Sequence, residues 1–189
     1  MSHESIDMDL ATHTFWRTGW LWPLFLLGTY NTWFYNPFDD NVTESSGLLM
    51  VVPPVFIAYL GWDMYIMLKY NHLYRTDLVI HHGVCFYVFS CSLYYHLHKV
   101  SSLFMICESI SLLNYVLRDR PNWLNYYRLF IVFFIRMPIW FLYLYFHNHH
   151  FSDYNIVHHY LARYGSAFFI IYDIVIIQKT FALMKRKNV

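Results

Sequence analysis

Residues 78–96 read LVIHHGVCFYVFSCSLYYH, a 19-residue run that begins just after Asp77 and contains no Asp, Glu, Lys or Arg. About 18 helical residues cross the roughly 27 Å hydrocarbon core of a thin bilayer, so this run reads as a membrane helix. His81 and His82 stand inside it. An ionisable pair at membrane depth is costly, which makes it a functional candidate by default.

The rest of the 189-residue chain agrees: 58% of it is hydrophobic and 22% aromatic, but only 13% is charged. An average soluble domain carries about 25% charged residues. Five further apolar segments accompany the first, at about Phe15–Tyr35, Leu48–Leu68, Val100–Leu117, Tyr127–Phe146 and Tyr164–Met184. The expected architecture is an all-α, polytopic bundle of about six transmembrane helices. It comprises a short cytoplasmic segment over 1–14, one membrane domain over 15–184 and a basic tail over 185–189. Asn36-Pro37-Phe38-Asp39-Asp40, Asn71-His72 and Asp119-Arg120-Pro121-Asn122 supply turn-forming connections, so sequential helices should be antiparallel neighbours. Pro53-Pro54 and Pro138 are expected to cap or bend helices. The first dozen residues lack a basic region and a small-residue cleavage site, so a removable signal peptide is not expected. Cys85, Cys91 and Cys107 all fall in apolar runs, as buried thiols do.

Six crossings put both ends on one side. That side holds Arg17, Lys69, Arg75, Arg118, Arg120, Arg128, Lys179 and Lys185-Arg186-Lys187, while Lys99 and Arg163 lie opposite. The positive-inside rule makes it the cytoplasm. Asp39, Asp40, Glu44 and the glycosylation sequon Asn41-Val42-Thr43 then fall on the lumenal side. The lysines third and fifth from the C-terminus resemble a dilysine retrieval signal for the endoplasmic reticulum; a headgroup-binding stop-transfer cluster is the simpler reading.

Helical rise sets the depth of each buried charge. Asp63, His81 and His82 come within roughly 5–8 Å of the cytoplasmic boundary, and Glu108, Arg136 and Asp173 lie roughly 14–16 Å deep. Asp63 can orient a histidine as general base, and an imidazole can itself be acylated. Adjacent histidines point about 100° apart and so are expected to do different jobs. Two interhelical hydrogen-bonders would be the simpler explanation. In the deeper layer one guanidinium and two carboxylates can offset one another's burial, with Arg136–Glu108 the expected ion pair and Asp173 a weaker candidate.

Asp63 in Ala58-Tyr59-Leu60-Gly61-Trp62-Asp63, then Asp77-Leu78-Val79-Ile80-His81-His82, then Glu108-Ser109-Ile110-Ser111-Leu112-Leu113-Asn114, then Phe133-Phe134-Ile135-Arg136 resemble the TLC-domain family in order and spacing, over roughly residues 48–185. The resemblance implies a helical bundle of endoplasmic-reticulum or related membranes, directed at lipids. The family includes ceramide synthases, whose histidine pair His81 and His82 match, with Asp63 at the acidic position of the preceding helix. The following helix departs from the synthase pattern. Cys107-Glu108, Ser111 and Asn114 leave Glu108 as its only carboxylate, which resembles the smaller, non-synthase members. The first expectation is therefore a membrane protein that binds or regulates lipids in lipid homeostasis. The second is acyltransfer from acyl-CoA to a lipid amine through His81, His82 and Asp63, with Glu108, Arg136 and Asp173 as lipid-binding or ion-pairing residues. Membrane lipids are the expected partners, and acyl-CoA is a possible substrate rather than a cofactor.

The chain's twelve histidines raise a third class, a histidine-metal membrane oxidase or hydroxylase. His96-Leu97-His98 and His147-Asn148-His149-His150 are more tightly spaced than histidine boxes and fall on the lumenal side, so no metal is expected. Trp16, Trp20, Trp22, Trp33 and Trp123 lie near helix ends, where an aromatic belt accounts for them. A net charge of +1 gives no support for nucleic-acid binding.

Overall fold

The computed structural model describes residues 9–35, 47–94, 96, 98–117, 121–150 and 156–187. The side chains of residues 146–150, 157, 158, 161, 162, 186 and 187 are not described. The sequon Asn41-Val42-Thr43, the acidic residues around it, Arg118, Arg120, the last two residues of the tail and the first eight residues all lie outside the described residues.

Every described element is helical. α1 runs Leu10–Phe34, α2 Val52–Lys69, α3 Thr76–Tyr94, α4 His98–Cys107, α5 Ser109–Val116, α6 Asn122–Ile131, α7 Met137–His150 and α8 Ile156–Lys187. A π turn, Val132–Arg136, joins α6 to α7 without a break in the helix. Pro53 and Pro54 occupy the first turn of α2, where a missing N–H leaves no bond unmade. Pro138 has no N–H to return to the carbonyl four residues earlier, and the wider π turn lies immediately before it.

Among the described residues three helices are long and apolar enough to cross a membrane: Leu49–Lys69, Asn122–Tyr145 and Arg163–Lys185. Six such spans were expected, and the shortfall has local causes. The fourth expected span is split at Glu108 into α4 and α5, of 10 and 8 residues. α3 is diluted by its histidines and serines, and α1 by a polar inner face.

That inner face shows how the bundle is built. α1 begins at Leu10, five residues before the expected start, because the Asp9 carboxylate accepts from the Thr12 N–H at 2.6 Å and caps the helix. His13, Arg17, Leu21, Leu24, Gly28 and Asn31 then recur at three- and four-residue steps and are all buried. Large apolar side chains point the other way: Phe15 is 72% exposed, Trp33 84% and, in the π turn, Phe134 70%, whereas Asn31, Asp63 and Asp173 are fully buried. Water is the wrong solvent for such a surface and hydrocarbon is the right one. The chain is accordingly read as a membrane protein.

α2 packs along α3, α1 along α4, and α7 along α8. The α1–α4 contact depends on Gly28. A Cβ there would come within 2.3 Å of the Met105 Cβ and 2.9 Å of the Ser102 carbonyl oxygen. Three residues along, Asn31 Nδ2 donates to the Leu48 carbonyl at 3.2 Å and to Ser102 Oγ at 3.2 Å, which sets the register of the two helices.

Gly28→Val should therefore lower stability by about 1–3 kcal/mol through overpacking. Gly19→Ala, with nothing within 4 Å of an added Cβ, should be neutral or stabilising. Thermal unfolding in detergent, followed by fluorescence-detected size exclusion, checks both; equal midpoints for Gly28→Val and the parent would remove the argument for close α1–α4 packing.

Candidate functional site

Asp63 is a fully buried carboxylate near the end of α2, and three cationic or hydrogen-bonding groups meet it. His13 Nε2 lies 2.6 Å from Oδ1, a hydrogen bond in which the ring N–H donates. On the other oxygen, Arg17 Nη2 and His82 Nδ1 each stand 3.1 Å from Oδ2. Both contacts are in ion-pair range, although neither is aligned as a hydrogen bond. The Arg17 guanidinium also sits 5.1 Å from the centre of the Tyr115 ring, a cation–π contact that draws in α5. One carboxylate thus holds α1, α2 and α3 together, and through Arg17 it reaches α5.

Of the histidine pair only His82 meets Asp63, in keeping with the expectation that a carboxylate orients one of the two, while His13 and Arg17 are partners the sequence reading misses. His13 was counted in a cytoplasmic segment and Arg17 among the charges setting orientation. The available signal was their four-residue spacing, in phase with Leu21 and Leu24, once Asp9 is recognised as the helix cap.

The two adjacent histidines divide as their 100° offset requires. His82 turns to Asp63. His81 turns to α8, stacking on Tyr172 with ring centres 4.8 Å apart and planes at 22°, and meeting the edge of Phe169 at 5.6 Å. Its Nε2 lies 3.6 Å from Cys85 Sγ, one helical turn along α3.

The deeper layer is paired differently from expectation. Arg136 Nη2 lies 2.8 Å from Asp173 Oδ1, and Trp140 Nε1–H donates to Asp173 Oδ2 at 3.3 Å. Glu108, the expected partner, instead occupies the break between α4 and α5, and among the described residues its carboxylate has no hydrogen-bonded or ion-paired partner. The reason lies in the backbone. Arg136 is the last residue of a π turn, on a helix that continues into α7 and packs along α8, which carries Asp173.

These groups border a two-part cavity. A polar vestibule of about 230 Å³ is lined by Arg17, Arg75, Asp77, Ser111, Asn114 and Lys179, with His82 and Tyr115 behind them. At its mouth the Arg75 guanidinium donates to Asp77 at 2.7 Å and holds that carboxyl below its usual value. The pair is exposed, so its effect on stability is small. Arg128 Nη2 donates to Asn114 Oδ1 at 2.7 Å. Below the vestibule runs a narrow apolar crevice of about 20 Å³ between Phe56, Phe89, Phe104, Trp140 and Phe169, with Cys85 and Cys107 on its wall. Trp140 is sandwiched between Phe169 at 4.1 Å and Phe104 at 4.8 Å, which stiffens that wall. His81, Glu108 and Arg136 line both compartments and mark the junction between them. A charged chamber thus adjoins a narrow apolar crevice with room for about one water-sized molecule.

Cys85 and Cys107 are buried and all three cysteines are free thiols. Among the described residues no three His, Cys, Asp or Glu side chains are grouped so as to hold a metal ion. The side chains of His147, His149, His150 and His158 lie outside the described residues.

Asp63→Ala should cost about 3–5 kcal/mol, because it leaves buried cationic and hydrogen-bonding groups uncompensated. An Asp63→Leu, Arg17→Leu double variant should be milder than Asp63→Leu alone, since both members of the ion pair leave together. Thermal unfolding of the three variants reads this out, and a single-variant loss under about 1 kcal/mol would show that the knot is dispensable.

Comparison of the chain with protein-family models, with curated proteins and with solved structures found no match.

Proposed function

We propose that this chain is a multi-pass, TLC-like protein of the endoplasmic-reticulum membrane that binds lipid and serves membrane lipid homeostasis. The observation that carries the reading is the meeting of the charged vestibule and the apolar crevice at His81, Glu108 and Arg136. A lipid has the same division, with a polar head that seeks the hydrogen-bonding chamber and a chain that seeks the slot. The six-crossing arrangement is part of this proposal. α1 and α3 turn His13, Arg17 and His82 inward and leave apolar flanks such as Phe15, Trp33, Ile80 and Phe86 for the bilayer despite their diluted composition, whereas α4 is enclosed by the other helices on nearly every side. By the positive-inside rule the vestibule, ringed by Arg75, Arg128 and Lys179, then opens to the cytoplasm.

One observation favours a second reading, acyl transfer to a lipid amine. His81 stands at the junction, where a thioester carbonyl would rest if its acyl chain entered the crevice and its hydrophilic part stayed in the vestibule.

Mass spectrometry of lipids extracted from protein purified in mild detergent tests the first reading. The parent should carry a lipid class enriched over the bulk membrane, and Val88→Trp, which fills the crevice, should lose more than half of it while eluting at the parent's volume. Co-purified lipid indistinguishable from bulk membrane in the parent would sink the proposal.

A further inference from the structure

We infer that Cys85 is an acyl acceptor, with the His81 imidazole taking its proton. The inference rests on the reading of the cavity as a site for an acyl lipid and adds a covalent step to it.

Three observations lead to the thiol. First, Cys85 Sγ lies 3.6 Å from His81 Nε2, within reach of an S–H···N hydrogen bond, because residues four apart share one face of α3. Second, the imidazole is held in place by Tyr172 on its face and Phe169 at its side, and His82 rather than His81 is committed to Asp63. His81 Nδ1 has no hydrogen-bond partner among the described residues, so the ring's hydrogen bonding goes to the thiol alone. Third, both side chains line the apolar crevice, and His81 also lines the vestibule above it. Cys107 shares the crevice and Cys91 does not, but neither has a contact with an imidazole among the described residues. A thiol on the wall of an apolar slot, beside a positioned base that also faces a polar chamber, is an arrangement that forms acyl-enzymes.

The co-reactant is an acyl thioester with a hydrophilic thiol part, such as acyl-CoA. Its hydrophilic part lies among the vestibule's cations, and its acyl chain enters the crevice by displacing the wall, where Met105 has an unbranched, yielding side chain. Cys85 Sγ attacks the carbonyl carbon as His81 Nε2 takes the thiol proton. The tetrahedral intermediate collapses, the bond from carbon to the leaving sulfur breaks, and the imidazolium returns its proton to the departing thiolate. Cys85–SH and R–CO–S–R′ become Cys85–S–CO–R and R′–SH. One thioester replaces another, and no oxidant or reductant is needed.

The test uses the full chain in mild detergent with palmitoyl-CoA, read by intact mass, beside binding of a non-transferable palmitoyl-CoA thioether. The parent should gain one palmitoyl group that neutral hydroxylamine removes. Cys85→Ser should bind the thioether without gaining a palmitoyl group, and Cys91→Ser should behave as the parent. His81→Gln should acylate at least about a hundredfold more slowly, the low side of the loss expected on removing a proton acceptor. Thioether binding without acylation, acylation mapped to another residue, or an undiminished rate in His81→Gln each overturns the inference while leaving the lipid-binding reading in place. Failure of the parent to bind either compound, together with the absence of an enriched lipid in the extracts, overturns both. If Cys85→Ser does not fold, peptide mapping of the parent's adduct assigns the acylated residue directly.

Discussion

A carboxylate cannot be moved from water into a low-dielectric interior unless something meets its charge, and Asp63 is met three times. His13, Arg17 and His82 converge on its two oxygens from different helices, within 3.1 Å at most. Everything else in this half of the bundle follows from that convergence. The N-terminal ends of α1 and α3 must lie level with the C-terminal end of α2, so α1 and α3 both run antiparallel to α2. α1 must turn its polar stripe inward. Once His82 is committed to the knot, His81 is turned toward α8, where Tyr172 and Phe169 receive it.

The second ion pair, Arg136 with Asp173, plays the corresponding part deeper in the protein, tying the π turn to α8. Between these two neutralised charge clusters stands Glu108, whose carboxylate takes part in neither, at a point where the helix itself is interrupted. The cavity lies between the knots. Its polar part borrows the cations that stabilise them, and its apolar part is the aromatic packing below. A binding chamber is thus a by-product of how the bundle disposes of its buried charge.

The helical class and the three most apolar helices were legible in composition and run length alone, because a bilayer demands both. So was the association of Asp63 with one member of the histidine pair, since a carboxylate near an interface and an imidazole on the next antiparallel helix come level with each other. The rest depended on tertiary choices that a single sequence does not rank. His13 was hidden by its setting, a polar stretch that becomes helix only because Asp9 caps it. Arg136 had two carboxylates at similar depth, and the choice of Asp173 turned on a π turn beside Pro138 and a helix break at Glu108, neither of which hydrophobic periodicity reveals. The dilution of α1 and α3 by polar residues was visible, but its meaning, an inner polar face rather than a poor membrane helix, appears only when the partners are in place.

The knot also orders the making of the protein. His13 and Asp63 are 50 residues apart, and His82 follows later still, so the ribosome delivers the Arg17 guanidinium well before the carboxylate that neutralises it. Until α2 emerges, Arg17 has no counter-charge and every reason to remain at the membrane surface. α1 and α2 are therefore expected to settle into the bilayer as a hairpin rather than one after the other, with α3 closing the arrangement by bringing His82 to Oδ2 beside Arg17.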